Sequence, residues 1–453
     1  MSAQELESYL SPTANGFAAT GAASAALQAS IRQQEAGGPV DALPSGVFEV
    51  DPNVIELGSR AVLRGEGAMR TVVRVPANSS GRVVSTKDFA EWELDGTGLW
   101  SHTGVPTGVE VRNVGVYGGG ANNDNPHLWD GALTYRLNGF DIHSPGAVLD
   151  SLQALACEGV GIRYNRGAAP RYGLWQWSDK EVAEIYRAHV VKCLTGILIA
   201  GSADGILKDC TIAACRDACL KIEGGAWNIS NIHAYGCITA DEEEDHGVGI
   251  INGTPDGQSG PNYFGSQIQA DSCRIGFRNY TAGTTMTQFI GKLCREVSLD
   301  IRRTMTVGDF TIEQMTEDDV VGISIAQEAQ FTRLNGGLMS MGSDTGKGIV
   351  CLANGCVINM QNYWGSNLDN TAMVYGSSTV NPNGGVVDIY VNGCDTGLKI
   401  EGLGKRNTIV VRHGSLVTNP VVLAGGVATS GNRNSVISMN IDTNAAPVVH
   451  VSA

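Results

Sequence analysis

Cys193-Leu-Thr-Gly196-Ile-Leu-Ile199 reads like Cys394-Asp-Thr-Gly397-Leu-Lys-Ile400, and two further stretches repeat the shape. Cys273-Arg-Ile-Gly276-Phe277 is close, and Cys215-Arg-Asp-Ala218-Cys219-Leu-Lys-Ile222 keeps it with alanine in place of glycine. Each is a small residue suited to burial, a turn, then an alternating strand. Cys193, Cys215 and Cys237 follow one another at a constant interval, and self-similarity at a fixed period of roughly this length belongs to solenoids. One or two short strands with glycine turns per repeat suit a rung of a parallel β-helix better than a large sandwich or a propeller.

Outward from these repeats the rest of the chain agrees. From Pro39 onward, short apolar or alternating runs such as VFEV, VIEL and TVVRV are bounded by Gly, Pro, Asn and Asp. Before them, Ala22 to Ala36 (AASAALQASIRQQEA) places Ala23, Leu27, Ile31 and Gln34 at helical spacing, and Gly37-Gly38 stop it. The only later stretch with a helical period lies around Lys180–Ala188. Three segments follow: 1–20 as an N-terminal attachment peptide, 21–75 as capping helix and first rungs, and 76–453 as the β-helix body with loop insertions.

Composition excludes several classes. Glycine is 59 of 453 residues, about 13% against a usual share of roughly 7%. Charged residues are 17% and apolar ones 42%, which is too much buried-type surface for a disordered chain. A net charge of −15 with no Lys/Arg-rich run argues against nucleic acid. No apolar stretch reaches membrane-spanning length, and MSAQELESYL is acidic where a signal peptide needs a basic end. The expectation is a chain without an export signal. Eleven cysteines, an odd number without C-x-x-C, read as a ladder of buried reduced thiols and hence as folding in a cytoplasm. Zinc spacing is poor at Cys215/Cys219 and Cys351/Cys356, so no metal and no cofactor is expected.

The opening segment carries a family likeness. Ala22–Leu27-Gln28, Gly37-Gly38, Leu43-Pro44-Ser45-Gly46-Val47-Phe48, Leu63-Arg64-Gly65-Glu66-Gly67 and Thr71-Val72-Val73 resemble the start of the pectate-lyase-like superfamily. The pattern is most similar to phage tailspikes and polysaccharide depolymerases, and it covers residues 20–75. The resemblance implies an all-β chain, a right-handed parallel β-helix with an N-terminal capping helix. A cap is also what an open rung requires, because an uncovered edge exposes unpaired backbone. The LRGEG glycines lack a following lysine and helix, so they read as a turn rather than a phosphate loop. Chemistry is not implied by the fold, since the superfamily hosts hydrolases, lyases, epimerases and pure binding spikes.

Chemistry is therefore sought in insertions. Cys157 to Cys193 and Cys237 to Cys273 are two equal intervals, each well over half as long again as the repeat. The first insertion carries Tyr164, Arg166, Arg171, Tyr172, Trp175, Trp177, Asp179 and Glu181. The second carries Asp241 through Glu244, Asp245 and His246, then a glycine-rich loop to Tyr263. Two ordinary rungs between them predict a separation of about 15 Å, the scale of a groove for several sugars. A third irregular loop holds Trp129 and Asp130. Flat aromatics in loops suit sugar faces, although Trp175 and Trp177 would equally pack a loop or fill a subunit interface. The acidic run would equally be a solvated turn.

Hydrolysis of a glycosidic bond needs two carboxyl groups, about 5–5.5 Å apart for retention or 6.5–9.5 Å for inversion. The candidates are Asp179 or Glu181 facing Glu244 or Asp245, with Asp130 in reserve. Sugar contacts are assigned to Trp129, Tyr164, Arg166, Arg171, Tyr172, Trp175, Trp177, His246 and Tyr263. A lyase would instead recruit Arg166, Arg171, Tyr172 and His246. Arg302-Arg303 to Asp318-Asp319 form a second charged region, a competing site or a subunit contact. His189 and His233 sit singly beside strands, and no serine-hydrolase elbow or zinc-protease motif occurs. The expected activity is that of a phage-type spike that binds and hydrolyses a bacterial surface polysaccharide. Its implied partners are that glycan, two further copies in a homotrimer and a virion protein met by the N-terminal segment, with neither nucleic acid nor membrane. A non-catalytic adhesin and a polysaccharide lyase are the alternatives.

Overall fold

The computed structural model describes residues 27–29, 31, 32, 36, 42–76, 79–87, 106–118, 137–165, 182–200, 204–237, 239, 245–255, 260–315, 317–342, 345–365, 369–424, 433–443 and 446–452. The chain divides into two compact units, Met1–Ile212 and Ala213–Ala453. Both are built almost wholly from short strands, and each is a right-handed parallel β-helix.

In the first unit the chain visits three faces in turn. One face stacks Gly46–Glu49, Thr71–Arg74, Gly115–Tyr117, Gln153–Leu155 and His189–Val191 in parallel. The second stacks Val62–Arg64, Glu110–Arg112, Val148–Asp150 and Ala183–Tyr186. The third stacks Ile55–Leu57, Gly81–Thr86, Leu137–Ile142, Val160–Asn165 and Thr195–Ala200. The helical period around Lys180–Ala188 is overruled here. Ala183–Tyr186 lies between two strand partners, Val148–Asp150 and Gly205–Lys208, whose backbone groups it satisfies.

The cap is legible in its described residues. Leu27 and Ile31 are buried, and the side-chain amide of Gln28 both donates to the carbonyl of Glu56 and accepts from its N–H, each at 3.0 Å. Gln28 thus stands in for the backbone of a missing rung at the edge of Ile55–Leu57, as an open edge demands.

In the second unit, two of the faces merge into one long face. It runs through Ala226–Tyr235, Thr284–Lys292, Met305–Met315, Val357–Gly365, Val386–Asn392, Thr408–His413 and Ser435–Asn440. The other, shorter face stacks Ala218–Ile222, Val248–Asn252, Ile275–Asn279, Val297–Ile301, Val321–Ile325, Lys347–Cys351, Thr371–Tyr375, Thr396–Ile400 and Asn419–Leu423. Ile250, Phe277, Leu299, Ile323, Ile349, Met373, Leu398 and Val421 stand in register as one column. The rungs of this column differ in length. Asn252 and Asn279, partners on adjacent strands, are separated by 27 residues, whereas the next such pair, Arg278 and Asp300, is separated by 22 residues. The interval between the cysteines is therefore one rung length among several and not a constant. Phe264, Phe277 and Phe289 meet edge to face inside the unit, with centroids 5.1 and 6.2 Å apart.

The cysteine repeats now have a cause. The residue before Cys157, Cys193, Cys215, Cys273 and Cys294 is Ala156, Lys192, Ala214, Ser272 and Leu293, each left-handed with φ between 50 and 56°. That corner turns the chain inward, and each thiol donates back to the carbonyl two residues earlier at 3.3–3.7 Å. A thiol is small enough for the corner and still caps the carbonyl. All eleven cysteines are buried, and none forms a disulfide.

Candidate functional site

The described end of the second insertion rests on charged side chains of the shorter face of the second unit. Strands Ile275–Asn279 and Val297–Ile301 pair so that Arg278 stands opposite Asp300. Arg278 Nε donates to Asp300 at 2.9 Å, and Arg302 Nε reaches the same carboxylate at 2.9 Å. The other edge of the Arg278 guanidinium, Nη1, donates to Asp245 Oδ1 at 3.3 Å, and Tyr280 OH donates to that oxygen at 3.1 Å. Burial would lower the pKa of Arg278, but Asp300, Tyr280 and Asp245 outweigh it and hold the guanidinium more firmly protonated than usual.

A second arginine fixes the next residue of the insertion. Arg274 Nε donates to the carbonyl of His246 at 2.8 Å, and its Nη1 pairs with Glu296 at 2.9 Å. His246 Nε2 lies 3.5 Å from Asp217. Arg278 and Asp300 are almost wholly enclosed, whereas the Asp245 side chain keeps about a quarter of its surface in solvent and Glu296 about half. The arrangement therefore holds a partly exposed carboxylate in a set position on two buried or half-buried donors.

Of the candidates read from sequence, Asp245 and His246 meet in this cluster, and Arg302 joins it from the second charged region. Asp318 and Asp319 do not; they are exposed on a later turn. Tyr263 is on the longer face, 48% exposed, with its hydroxyl 3.4 Å from Thr287 Oγ1. Tyr164 is placed otherwise than expected. It is fully buried in the first unit and donates to the carbonyl of Ser144 at 3.1 Å, because its position in Val160–Asn165 alternates inward and not toward a loop. Trp129, Asp130, Arg166, Arg171, Tyr172, Trp175, Trp177, Asp179, Glu181 and Glu244 lie outside the described residues.

Sequence reading missed Arg278 and Asp300. The available signal was a charge inside IGFRN and VSLDI, strands otherwise apolar enough to be buried on both faces. It also missed Asp141 of the first unit. Burial raises the pKa of this carboxyl, opposed by Arg163, Asn138 and Arg82, the last with Nε 3.1 Å away. A raised carboxyl is what a general acid needs, but Asp141 is wholly enclosed and no solvent-borne substrate meets it. Among the described residues, no group of three or more His, Cys, Asp or Glu is placed to hold a metal ion.

No family model matches the chain, and no curated protein matches it. Solved structures of similar form share little sequence. The catalytic domain of a GH87 alpha-1,3-glucanase in complex with nigerose aligns at a TM-score of 0.40 and 11% identity, over 95% of this chain and 69% of that one. PfbA, a surface adhesin of Streptococcus pneumoniae, aligns at 0.40 and 10%, over 98% and 97%. Tailspike protein 3 of bacteriophage CBA120 aligns at 0.34 and 11%, over 96% and 61%. The β-helix assignment rests on the strand pairings of this chain and not on these likenesses.

Proposed function

We propose that this chain binds a bacterial surface polysaccharide and hydrolyses it, with Asp245 as the carboxylate that acts at the glycosidic bond. The observation that carries the reading is the hold on Asp245. Arg278 and Tyr280 fix one oxygen at the foot of the second insertion, while the side chain stays open to solvent. A carboxylate anchored in this way has the set orientation that a nucleophile or a general base requires. The acid is assigned to a second carboxyl of the same run, Glu244, which lies outside the described residues; hydrolysis calls for a pair roughly 5–9.5 Å apart. Asp300 shares the guanidinium but is enclosed, and its part is to hold Arg278 in place.

The setting is a phage-type spike, a homotrimer joined to a virion through residues 1–20. A non-catalytic adhesin is the second reading. It is favoured by the saturation of the cluster, since Arg278 and Asp300 are already paired on both sides, as in an anchor that only fastens a loop.

Incubation with capsular or O-antigen polysaccharides from candidate hosts tests both. Hydrolysis raises reducing ends without the absorbance of unsaturated uronates, and Asp245→Asn lowers turnover by about a hundredfold or more. Undiminished turnover in Asp245→Asn removes that residue from the chemistry. Binding without reducing ends leaves the adhesin, and both signals together indicate a lyase.

A further inference from the structure

The longer face of the second unit is interrupted late in the chain. Val357–Gly365 pairs with Val386–Asn392 in register up to Met360 opposite Ile389, then resumes at Tyr363 opposite Val391. Gln361 and Asn362 thus stand against the single residue Tyr390, which is a β-bulge. Its cause lies one rung earlier. Gly336 and Gly337 have φ of 78 and 147°, and the carbonyl of Gly337 accepts both Gln361 N–H and Asn362 N–H, at 3.1 and 3.2 Å. A Cβ at Gly337 would run into the Phe310 ring, so only glycine lets the chain pass there.

Beside the bulge a groove of about 410 Å³ opens, lined by Asn359, Gln361, Asp388, Tyr390, Arg412 and Ile441. Two side-chain amides donate and accept, a carboxylate accepts, a guanidinium donates, and a phenol ring offers a flat apolar wall. Sugar hydroxyls are both donors and acceptors, whereas the ring C–H faces are apolar, so this inventory matches a pyranose. Charge decides which kind. Arg412 Nη2 already donates to Asp388, so the lining side chains carry no net charge and offer an acidic sugar no net attraction.

We propose that this groove binds a neutral hexopyranose unit of a glycan, at a site separate from the Asp245 cluster, which lies on the other face. Trp364, 45% exposed, is in register with Asn392, two residues beyond Tyr390 and roughly 7 Å along the strand. Its indole lies over Gly393 and offers a second flat platform, so the site accommodates two adjacent sugars. The inference rests on glycan binding and is independent of cleavage.

Titration calorimetry of the full chain tests it with neutral tetrasaccharides of glucose, galactose or mannose against a tetragalacturonate. At least one neutral probe binds at millimolar or better affinity, the galacturonate binds more weakly, and Tyr390→Ala or Gln361→Ala weakens the neutral probe about tenfold. Asn359→Trp, which fills the groove from an exposed position, abolishes that binding, with circular dichroism reporting the fold of each variant. Asp245→Asn leaves it unchanged. Equal binding by wild type and Tyr390→Ala, tighter binding of galacturonate, or no binding of any neutral probe overturns the proposal. Cleavage lost in Asp245→Asn while groove binding persists separates the two sites, and binding without any cleavage defeats the hydrolytic reading alone.

Discussion

Gly276 has room for a hydrogen atom and nothing more. A Cβ there would press on the carbonyl oxygen of Ser298 and lie 3.1 Å from the thiol of Cys294. The same position recurs in other rungs as Gly249, Gly322 and Gly348, each facing the next rung's carbonyl just as closely. This column of close approaches accounts for a part of the glycine content that composition alone could register but not place. Gly276→Val is expected to cost about 2–3 kcal/mol through overpacking. Denaturant unfolding measures it, and a midpoint within error of wild type would contradict the close approach. The cysteines are the complementary small residues. Burial pushes the thiols of Cys210 and Cys394 up to about 12 and that of Cys294 up to about 11, so they stay protonated and inert at neutral pH.

At the scale of the element, corners hold the strands in register. Asn252 and Asn279 are adjacent in the stack and both fully buried. Asn279 accepts from Asn252 Nδ2 at 2.8 Å and from Thr284 Oγ1 at 3.1 Å, and it donates to the carbonyls of Thr281 and Arg303. Asn279→Ala removes its enclosed hydrogen bonds to Asn252, Thr284, Thr281 and Arg303, so about 2–4 kcal/mol of stability is lost. Asn279→Asp is no rescue, because it returns the acceptor but neither donor. Comparable stability of Asn279→Ala and wild type in urea unfolding would show that water satisfies the corner instead. The capping helix works by the same rule, with Gln28 meeting the two open backbone groups of Glu56.

For the whole molecule, pH acts through a few enclosed groups. Burial lowers the pKa of His189 in the first unit and of His233 in the second, the latter tilted against Tyr235 with ring centroids 4.9 Å apart. The unfolded chain takes up these protons below about pH 6.5 while the folded chain still refuses them. Stability present at pH 7 is therefore lost as pH falls through about 6.5 toward the lower folded values. Asp141 acts in the opposite sense as pH falls toward about 4, since its raised pKa lets the folded state bind its proton first. Between pH 7 and 5, Tm is expected to fall more in wild type than in a His189→Gln, His233→Gln double variant, by about 2–4 °C. Parallel curves for the two proteins would exclude these histidines as the cause. Read by itself, the sequence determined the strand rhythm, the glycine turns, the buried cysteines and the cap, because each follows from constraints local to one rung. Only the tertiary structure decided which side chains meet. Arg278 finds Asp300 and Asp245 at separations of 22 and 33 residues, and the bulge at Gln361 depends on Gly337 one rung earlier. In a β-helix, lateral neighbours lie one rung apart, and rungs here are unequal, as the pairs Asn252–Asn279 and Arg278–Asp300 show. Any fixed period applied to the sequence therefore drifts out of register, and sites that span rungs stay hidden until the strands are paired.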